Sequence, residues 1–308
     1  YNLKAKVLKV SKPLQSYCYK IYQGFVLTPT EVFPVSIEKE SKKIVTIKPI
    51  KLDSKTYPIE KERLMHIVKS SSIHRYTIER NNYYIVFPYA YNEDLSADLI
   101  APQELKNKFP NTLKYLSAKK NEYLLKREKG KWKNSPNWYE FSRQQNFECQ
   151  KMEKILVPGL AKSARYALAD EYTNIDQGSY GVILNEKYKK YKLFFLGVLN
   201  SSTLDYFLKV KSGTLSGGYY SYQSKYLYDL PIIDFEKNKT ELLKTIKSIT
   251  YNVKKILELT DKLAKVNLSA ERKSIVDIIQ HINTQNDNLV FQMYKLTEDE
   301  QDIIKNFR

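Results

Sequence analysis

Apolar positions change rhythm along this chain, and each rhythm predicts a different element. Residues 1–50 alternate, with interruptions, as strands do: Val7, Val10, Tyr17, Tyr19 and Ile21, a turn at Gly24, then Phe25-Val26-Leu27. Pro29, Pro34 and Pro49 argue against helix there, because proline lacks the N–H that a helix needs. Val35-Ser36-Ile37 and Ile44-Val45-Thr46-Ile47 continue the strand pattern, and residues 60–70 predict a short helix. Tyr83 to Tyr89 is aromatic, β-branched and stopped by Pro88, the pattern of a buried strand. Leu113, Leu116, Tyr123 and Leu124 then recur at helical spacing after Pro110, leaving Lys114, Lys119, Lys120, Lys126 and Arg127 on the outer side.

Strand character returns at Ile155–Pro158, Tyr166–Ala169 and Tyr180–Leu184, with Lys162 and Arg165 in the loop between the first two. A helix follows over Leu193–Leu208, then a loop with Gly213, Gly217 and Gly218, then an extended Tyr219-Tyr220-Ser221-Tyr222 stopped by Pro231. In that extended segment Tyr220 and Tyr222 face one way and Tyr219 and Ser221 the other. Beyond it the period is helical: Leu242 to Leu263, then Ile275 to Met293, with a capping box at Thr297 and Glu300 opening a last short helix. The expected fold is α+β, with twisted mixed or antiparallel sheets, inserted helices and a C-terminal helical segment. The expected division is 1–235 and 236–308, with a boundary near Phe235 and the tail packed on the first part or on a part of the polypeptide preceding Tyr1.

Charge narrows the partners. Lys and Arg number 51 against 34 Asp and Glu, a formal net of +17, which favours a polyanion or an anionic membrane surface. From Lys106 to Lys133 ten basic residues face two acidic ones, either a phosphate-tracking face or a solvated one. Twenty-six tyrosines offer stacking faces and hydroxyls, although an AT-rich genome raises Lys, Ile, Asn and Tyr together, so position carries more than number. Of the two tryptophans, Trp138 with Tyr139 and Phe141 reads as a core anchor, while Trp132, set among lysines in a loop, fits core or contact. Two cysteines make no disulfide framework and fit a reducing cytoplasm. No apolar run reaches the ~20 residues that span a bilayer.

The motifs of catalysis are missing. There is no Pro-Pro base-holding loop, no Gly-x-Gly after a strand, no Walker loop and no metal-ligand spacing around His66, His74 or His281. Asp94 or Asp98 with Glu104 and Lys106 could be arranged as a nuclease site, or could be helix-start carboxylates that favour a first turn. The expectation is a binding module with no catalytic residue, metal or cofactor of its own.

Several segments in order resemble the C-terminal specificity region of bacterial adenine-specific DNA methyltransferases of the TaqI-like kind, fused restriction-modification and phage-defence enzymes among them. The most recognisable block is Leu196-Gly197-Val198-Leu199-Asn200-Ser201 followed by Gly217-Gly218-Tyr219-Tyr220-Ser221-Tyr222 and Leu230-Pro231. Gln23-Gly24-Phe25, Ile85–Tyr89, Leu116–Arg127 with Trp138-Tyr139, and Lys154–Pro158 resemble its other blocks. Asn286–Glu300 is similar to its ending, with Lys295 where the family has glycine and Met293 where it has leucine. The resemblance implies recognition of double-stranded DNA in the cytoplasm, with an N-terminal methyltransferase domain of the same polypeptide as partner and S-adenosylmethionine as the parent enzyme's cofactor.

Residue chemistry and that resemblance together nominate Lys209, Lys211, Ser212, Thr214, Ser216, Tyr219, Ser221, Gln223 and Lys225 as DNA contacts. Lys20, Gln23, Arg75 and Lys131 are nominated after them. The competing function is a protein-interaction module whose helical tail docks a partner subunit of a defence complex.

Overall fold

The computed structural model describes residues 2–52, 55–234, 236–237 and 239–307. Its fold is α+β and has two main apolar centres. One forms on a four-stranded antiparallel sheet in the order Ala167–Ala169, Lys154–Pro158, Ser179–Leu184, Cys18–Gln23. Every residue of Lys154–Pro158 and Ser179–Leu184 is buried. That is why Ile155–Pro158 and Tyr180–Leu184 are near-continuous apolar runs instead of alternating. The other centre lies on a six-stranded sheet in the order Asn174–Ile175, Leu64–Val68, Tyr84–Val86, Pro34–Lys39, Ile44–Pro49, Tyr57–Glu60. Its pairs are antiparallel except Asn174–Ile175 with Leu64–Val68. Phe25, Phe87, Tyr89, Phe141 and Phe147 meet in its core at edge-on and tilted angles.

Two expected elements differ. Residues Asn2–Lys9 form a helix, not a strand. Leu3 and Val7 stand four residues apart and both are buried, with Lys4 and Ala5 exposed between them, which is helical spacing. Residues 60–70 contain no α-helix: Leu64–Val68 is a strand whose partner is Tyr84–Val86, and that pairing overrides the local pattern. The basic segment also changes. Its longer helices are Pro102–Lys108 and Pro110–Ala118, followed by short helical turns at Lys120–Leu124 and Arg127–Gly130. Lys119 and Arg127, expected on the outer side, are buried. Lys119 donates to the Tyr57 hydroxyl at 2.9 Å, and the Arg127 guanidinium donates to the Glu140 and Trp138 carbonyls while lying 3.9 Å from the Trp132 ring centroid. Trp138 packs half-buried against the second core beside fully buried Tyr139.

The expected C-terminal helices are Lys239–Leu263, Ser269–Met293 and Glu298–Lys305. Ile249, Val253 and Ile256 of the first join the core of the four-stranded sheet, as do Val290 and Phe291 of the second. The Tyr294 hydroxyl donates to the Pro231 carbonyl and accepts from the Ile233 N–H. Lys6 pairs with Glu300 at 2.6 Å, joining the first helix to the last. The boundary residue Phe235 lies outside the described residues. None of the described helices is long and apolar enough to cross a membrane.

The helix ending at Met293 closes in the way a glycine would close it. Lys295 has φ +54°, its N–H donates to Gln292 O, and Leu296 N–H donates to Phe291 O, the two bonds of a Schellman turn. A left-handed lysine costs about 1–2 kcal/mol, of which glycine's greater unfolded-state freedom returns part. Lys295→Gly is therefore expected to stabilise the chain by about 0.5–1 kcal/mol, read as a higher urea midpoint.

Lys154 is almost wholly buried, with its ammonium donating to the Gln150 carbonyl at 2.8 Å. Burial pulls its pKa down to about 8. The unfolded chain then binds more protons at this lysine than the fold does between pH 8 and the ordinary lysine value, so its contribution to stability rises with pH in that window. Cys18 and Cys149, their thiol pKa values pushed up to about 12 by burial, act in the opposite sense from pH ~8.5, and buried tyrosines such as Tyr17 and Tyr83 do so above pH ~10. The stability of wild type relative to Lys154→Met, read by urea unfolding, should therefore rise by on the order of 2 kcal/mol from pH 8 to 10.

Candidate nucleic-acid interface

The apolar helix of the 190s does not run through to the 200s. It spans Lys192–Leu199, and a second helix spans Ser202–Ser212. Asn200 makes the break. Its buried side chain accepts from Tyr166 N–H at 3.0 Å and donates to Tyr166 O at 2.9 Å, clasping a backbone segment from the four-stranded sheet. Its own carbonyl accepts from Arg75 at 2.6 Å. Ser201 then caps the second helix by accepting from Leu204 N–H.

That helix ends at Gly213, and residues 213–219 are all exposed. Gly213, Gly217 and Gly218 have φ +68°, +76° and +73°. A Cβ at Gly213 or Gly218 would meet nothing, so these glycines serve the backbone path and leave the surface open for close approach. The loop is pinned at its far end. Tyr220–Ser221 pairs antiparallel with Leu160–Ala161, and Tyr222 N–H donates to Gly159 O. The buried Tyr222 hydroxyl donates to Asp205 on the preceding helix, whose other oxygen pairs with Lys209 at 2.9 Å. Burial and then the Asp205 charge hold the Tyr222 hydroxyl far above its ordinary pKa, so it remains a donor.

The structure sorts the nominated residues into groups. Thr214, Ser216, Tyr219, Gln223 and Lys225 are exposed on or beside the loop. Lys211 is exposed and pairs with Asp229. Ser212 accepts from Ser221 N–H at 3.3 Å, helping to close the loop. Lys209 is turned inward, its ammonium against Asp205 and 5.1 Å from the Tyr220 ring centroid. Ser221 is buried, and its position belongs to the strand pair. Arg75 reaches the same unit through Asn200. Lys20 and Gln23 lie on the strand beside Ser179–Leu184, where Lys20 pairs with Glu148 at 2.9 Å and Gln23 donates to Gln177 O at 2.8 Å. Lys131 is exposed in the turn after the basic helices, attached to the other core.

Two cations outside the nominated set belong beside the loop. Exposed Lys162 places its ammonium 5.4 Å from the Tyr219 ring centroid, and Arg165 lines a cavity with Arg75, Ser202 and Asp205. Their signal in sequence is a polar, basic loop between two strands of the same sheet. The alternative nuclease carboxylates take local roles: Asp94 accepts from Ser96 and Asp98 from Asn92, while Glu104, in the first turn of its helix, pairs with Lys108.

A family model for TaqI-like C-terminal specificity domains matches residues 65–232. Among solved structures, the chain is similar to the Type IIL restriction-modification enzyme MmeI in complex with DNA, with a TM-score of 0.59 at 13% identity. The likeness covers 93% of this chain and 34% of that one, so this chain spans about a third of MmeI's length. At that identity the likeness is one of fold. No curated protein matches the chain at comparable significance.

Proposed function

We propose that this chain, which belongs to the TaqI-like C-terminal specificity domain family, recognises a particular sequence in double-stranded DNA on behalf of a larger restriction-modification enzyme. The observation that carries this reading is the loop. Residues 213–219 are exposed, contain three left-handed glycines, are held at both ends by buried groups and are flanked by Lys162, Lys211 and Lys225. Cations there neutralise phosphates and give affinity. The directed donors and acceptors of Thr214, Ser216, Tyr219 and Gln223 supply discrimination between base edges. A scaffold that holds both ends of the loop suits that division, because base readout needs placed donors while the duplex is gripped elsewhere.

The parent enzyme in this reading is an adenine-specific methyltransferase acting in restriction-modification or phage defence in the cytoplasm. Its catalytic domain lies N-terminal to this region in the same polypeptide and uses S-adenosylmethionine. The residues described here do not fit that cofactor: a Cβ at Gly24, Gly181 or Gly197 would collide with packed neighbours, and the open glycines lie on exposed turns. Recognition is thus assigned to residues 1–235. The 236–308 helices buttress it and offer exposed Tyr251, Leu268 and Val276 to the catalytic part.

Lys211→Ala combined with Lys225→Ala should weaken binding to a duplex and lower the slope of log affinity against log salt by about one to two. Unchanged affinity at low and moderate salt removes this loop as the contact. A protein that elutes early from heparin and shifts no duplex is a docking module instead.

A further inference from the structure

A cavity of about 380 Å³ opens at the N-terminal end of the helix that leads to the loop, between the Arg75 turn, the 163–165 loop and the start of the Ser202–Ser212 helix. Its lining carries both signs of charge, so the useful question is which groups are already committed within the protein. Asp205 accepts from the Tyr222 hydroxyl and from Lys209. Asp287 accepts from Ser202 N–H at 2.8 Å, which also occupies that helix N-terminus. His74 faces Glu79, and one Arg75 nitrogen donates to the Asn200 carbonyl. Among the described residues, the Arg165 guanidinium has no hydrogen bond or ion pair, the Ser163 hydroxyl has none, and Arg75 Nε is buried without a partner. The buried Ser202 hydroxyl lies next to the Asp287 carboxylate. What remains for a ligand is therefore a set of donors on Arg165 and Ser163, with Arg75 behind them. Two lining arginines stand against two carboxylates, and both carboxylates already accept bonds from within the protein.

We propose that this cavity is an oxyanion site that receives a phosphodiester of the DNA backbone, with Arg165 as its free cationic arm. The inference rests on the DNA-recognition reading and deepens it. A guanidinium presents a planar fork matched to two phosphate oxygens, and hydroxyls at its side complete the shell. Phosphate contacts fix register, while base contacts read sequence. Arg165 follows Lys162 by three residues in the same loop, and the Lys162 ammonium stands over Tyr219 of the glycine loop. Seating it sets where the loop meets the groove. Arg75 acts beneath it: its grip on Asn200 keeps the cavity wall attached to the sheet segment at Tyr166.

The test uses the chain with a random-sequence 20-base-pair duplex and, separately, inorganic phosphate. Arg165→Gln should weaken the duplex about tenfold at low salt, equally for unrelated sequences, and reduce the salt slope by about one. Arg165→Lys should keep the slope and recover part of the affinity, because the charge survives and the fork does not. The Arg165 side-chain N–H resonance should move with duplex at micromolar concentration and with inorganic phosphate only at millimolar. If Arg165→Gln binds duplex as wild type does while the Lys211/Lys225 variant is weakened, the inference fails and the recognition reading stands. Tight phosphate binding that duplex does not displace assigns the cavity to a small free anion and overturns the DNA source. A wild-type chain that binds no duplex overturns both.

Discussion

Replacing Gly24 with alanine is expected to destabilise the chain by about 3 kcal/mol or more, enough to abolish folding in a marginal background. Gly24 stands where the chain leaves the four-stranded sheet for the aromatic core. Its N–H donates to Ser179 O, and Phe25 N–H donates to Ile175 O at 2.9 Å. A Cβ there would lie 2.3 Å from the Ile175 carbonyl oxygen and 2.4 Å from that of Asp176. Neither carbonyl can move away cheaply. Ile175 O also accepts from the buried Gln150 amide at 2.9 Å, whose oxygen in turn accepts from Ile175 N–H. Relief would require opening that network, and Phe25 with it, from beneath Phe87, Phe141 and Phe147. Gly130→Ala is the control, since its left-handed φ of +81° carries a conformational penalty of about 1 kcal/mol with nothing nearby to strike. Urea midpoints for the two variants should differ clearly; a Gly24→Ala shift no larger than the control's would sink the close-approach argument.

Local chemistry made much of this fold readable. Ile155–Pro158 and Tyr180–Leu184 are continuous apolar runs because both faces of their strands are covered, and the C-terminal helices keep a helical period because only one face is. Thr297 and Glu300 form the reciprocal cap that their spacing predicts. What could not be read depends on partners distant in sequence. Leu64–Val68 becomes a strand through Tyr84–Val86. The break at Asn200 is set by Tyr166, 34 residues away, inside a stretch whose apolar period gives no hint of it. Lys119 and Arg127 look like surface cations until Tyr57 and three backbone carbonyls from other segments gather round them.

The loop was readable for a different reason. Three glycines within six residues require an unusual backbone, and that requirement is local. The roles of the cations around it are not local. Lys162 meets Tyr219 across 57 residues through the pairing of Leu160–Ala161 with Tyr220–Ser221. Lys209 does have a local clue, Asp205 four residues before it on a helix, the favourable order for such a pair. That clue turns Lys209 from a contact into part of the frame.

Asp205→Ala is accordingly expected to cost about 3 kcal/mol in stability and to lower duplex affinity beyond what the lost stability explains. One carboxylate here serves two buried donors. The Lys209 side chain is only 12% exposed and that of Asp205 14%, so removing the acid leaves an ammonium with little water to replace its partner. The Tyr222 hydroxyl loses its acceptor in the same step, packed edge-on against Tyr166 at 6.2 Å between centroids. Lys209→Met alone should cost less, because Asp205 keeps the tyrosine and faces the cavity's arginines. In Asp205→Ala with Lys209→Met, removing both charges should restore part of the stability, the coupling that a double-mutant cycle reads. The functional consequence follows from geometry. Residues 213–219 hang between the end of the helix that carries Asp205 and the strand that carries Tyr222, and the Asp205–Tyr222 bond ties those two supports together. Without it the loop's donors sample more orientations and must be ordered on binding, which lowers affinity through a faster dissociation rate. Duplex titrations of Asp205→Ala, made cold and without denaturant where the variant remains folded, should show that faster release. A wild-type dissociation rate in a demonstrably folded variant would leave Asp205 as a stabiliser of the scaffold with no part in positioning the loop.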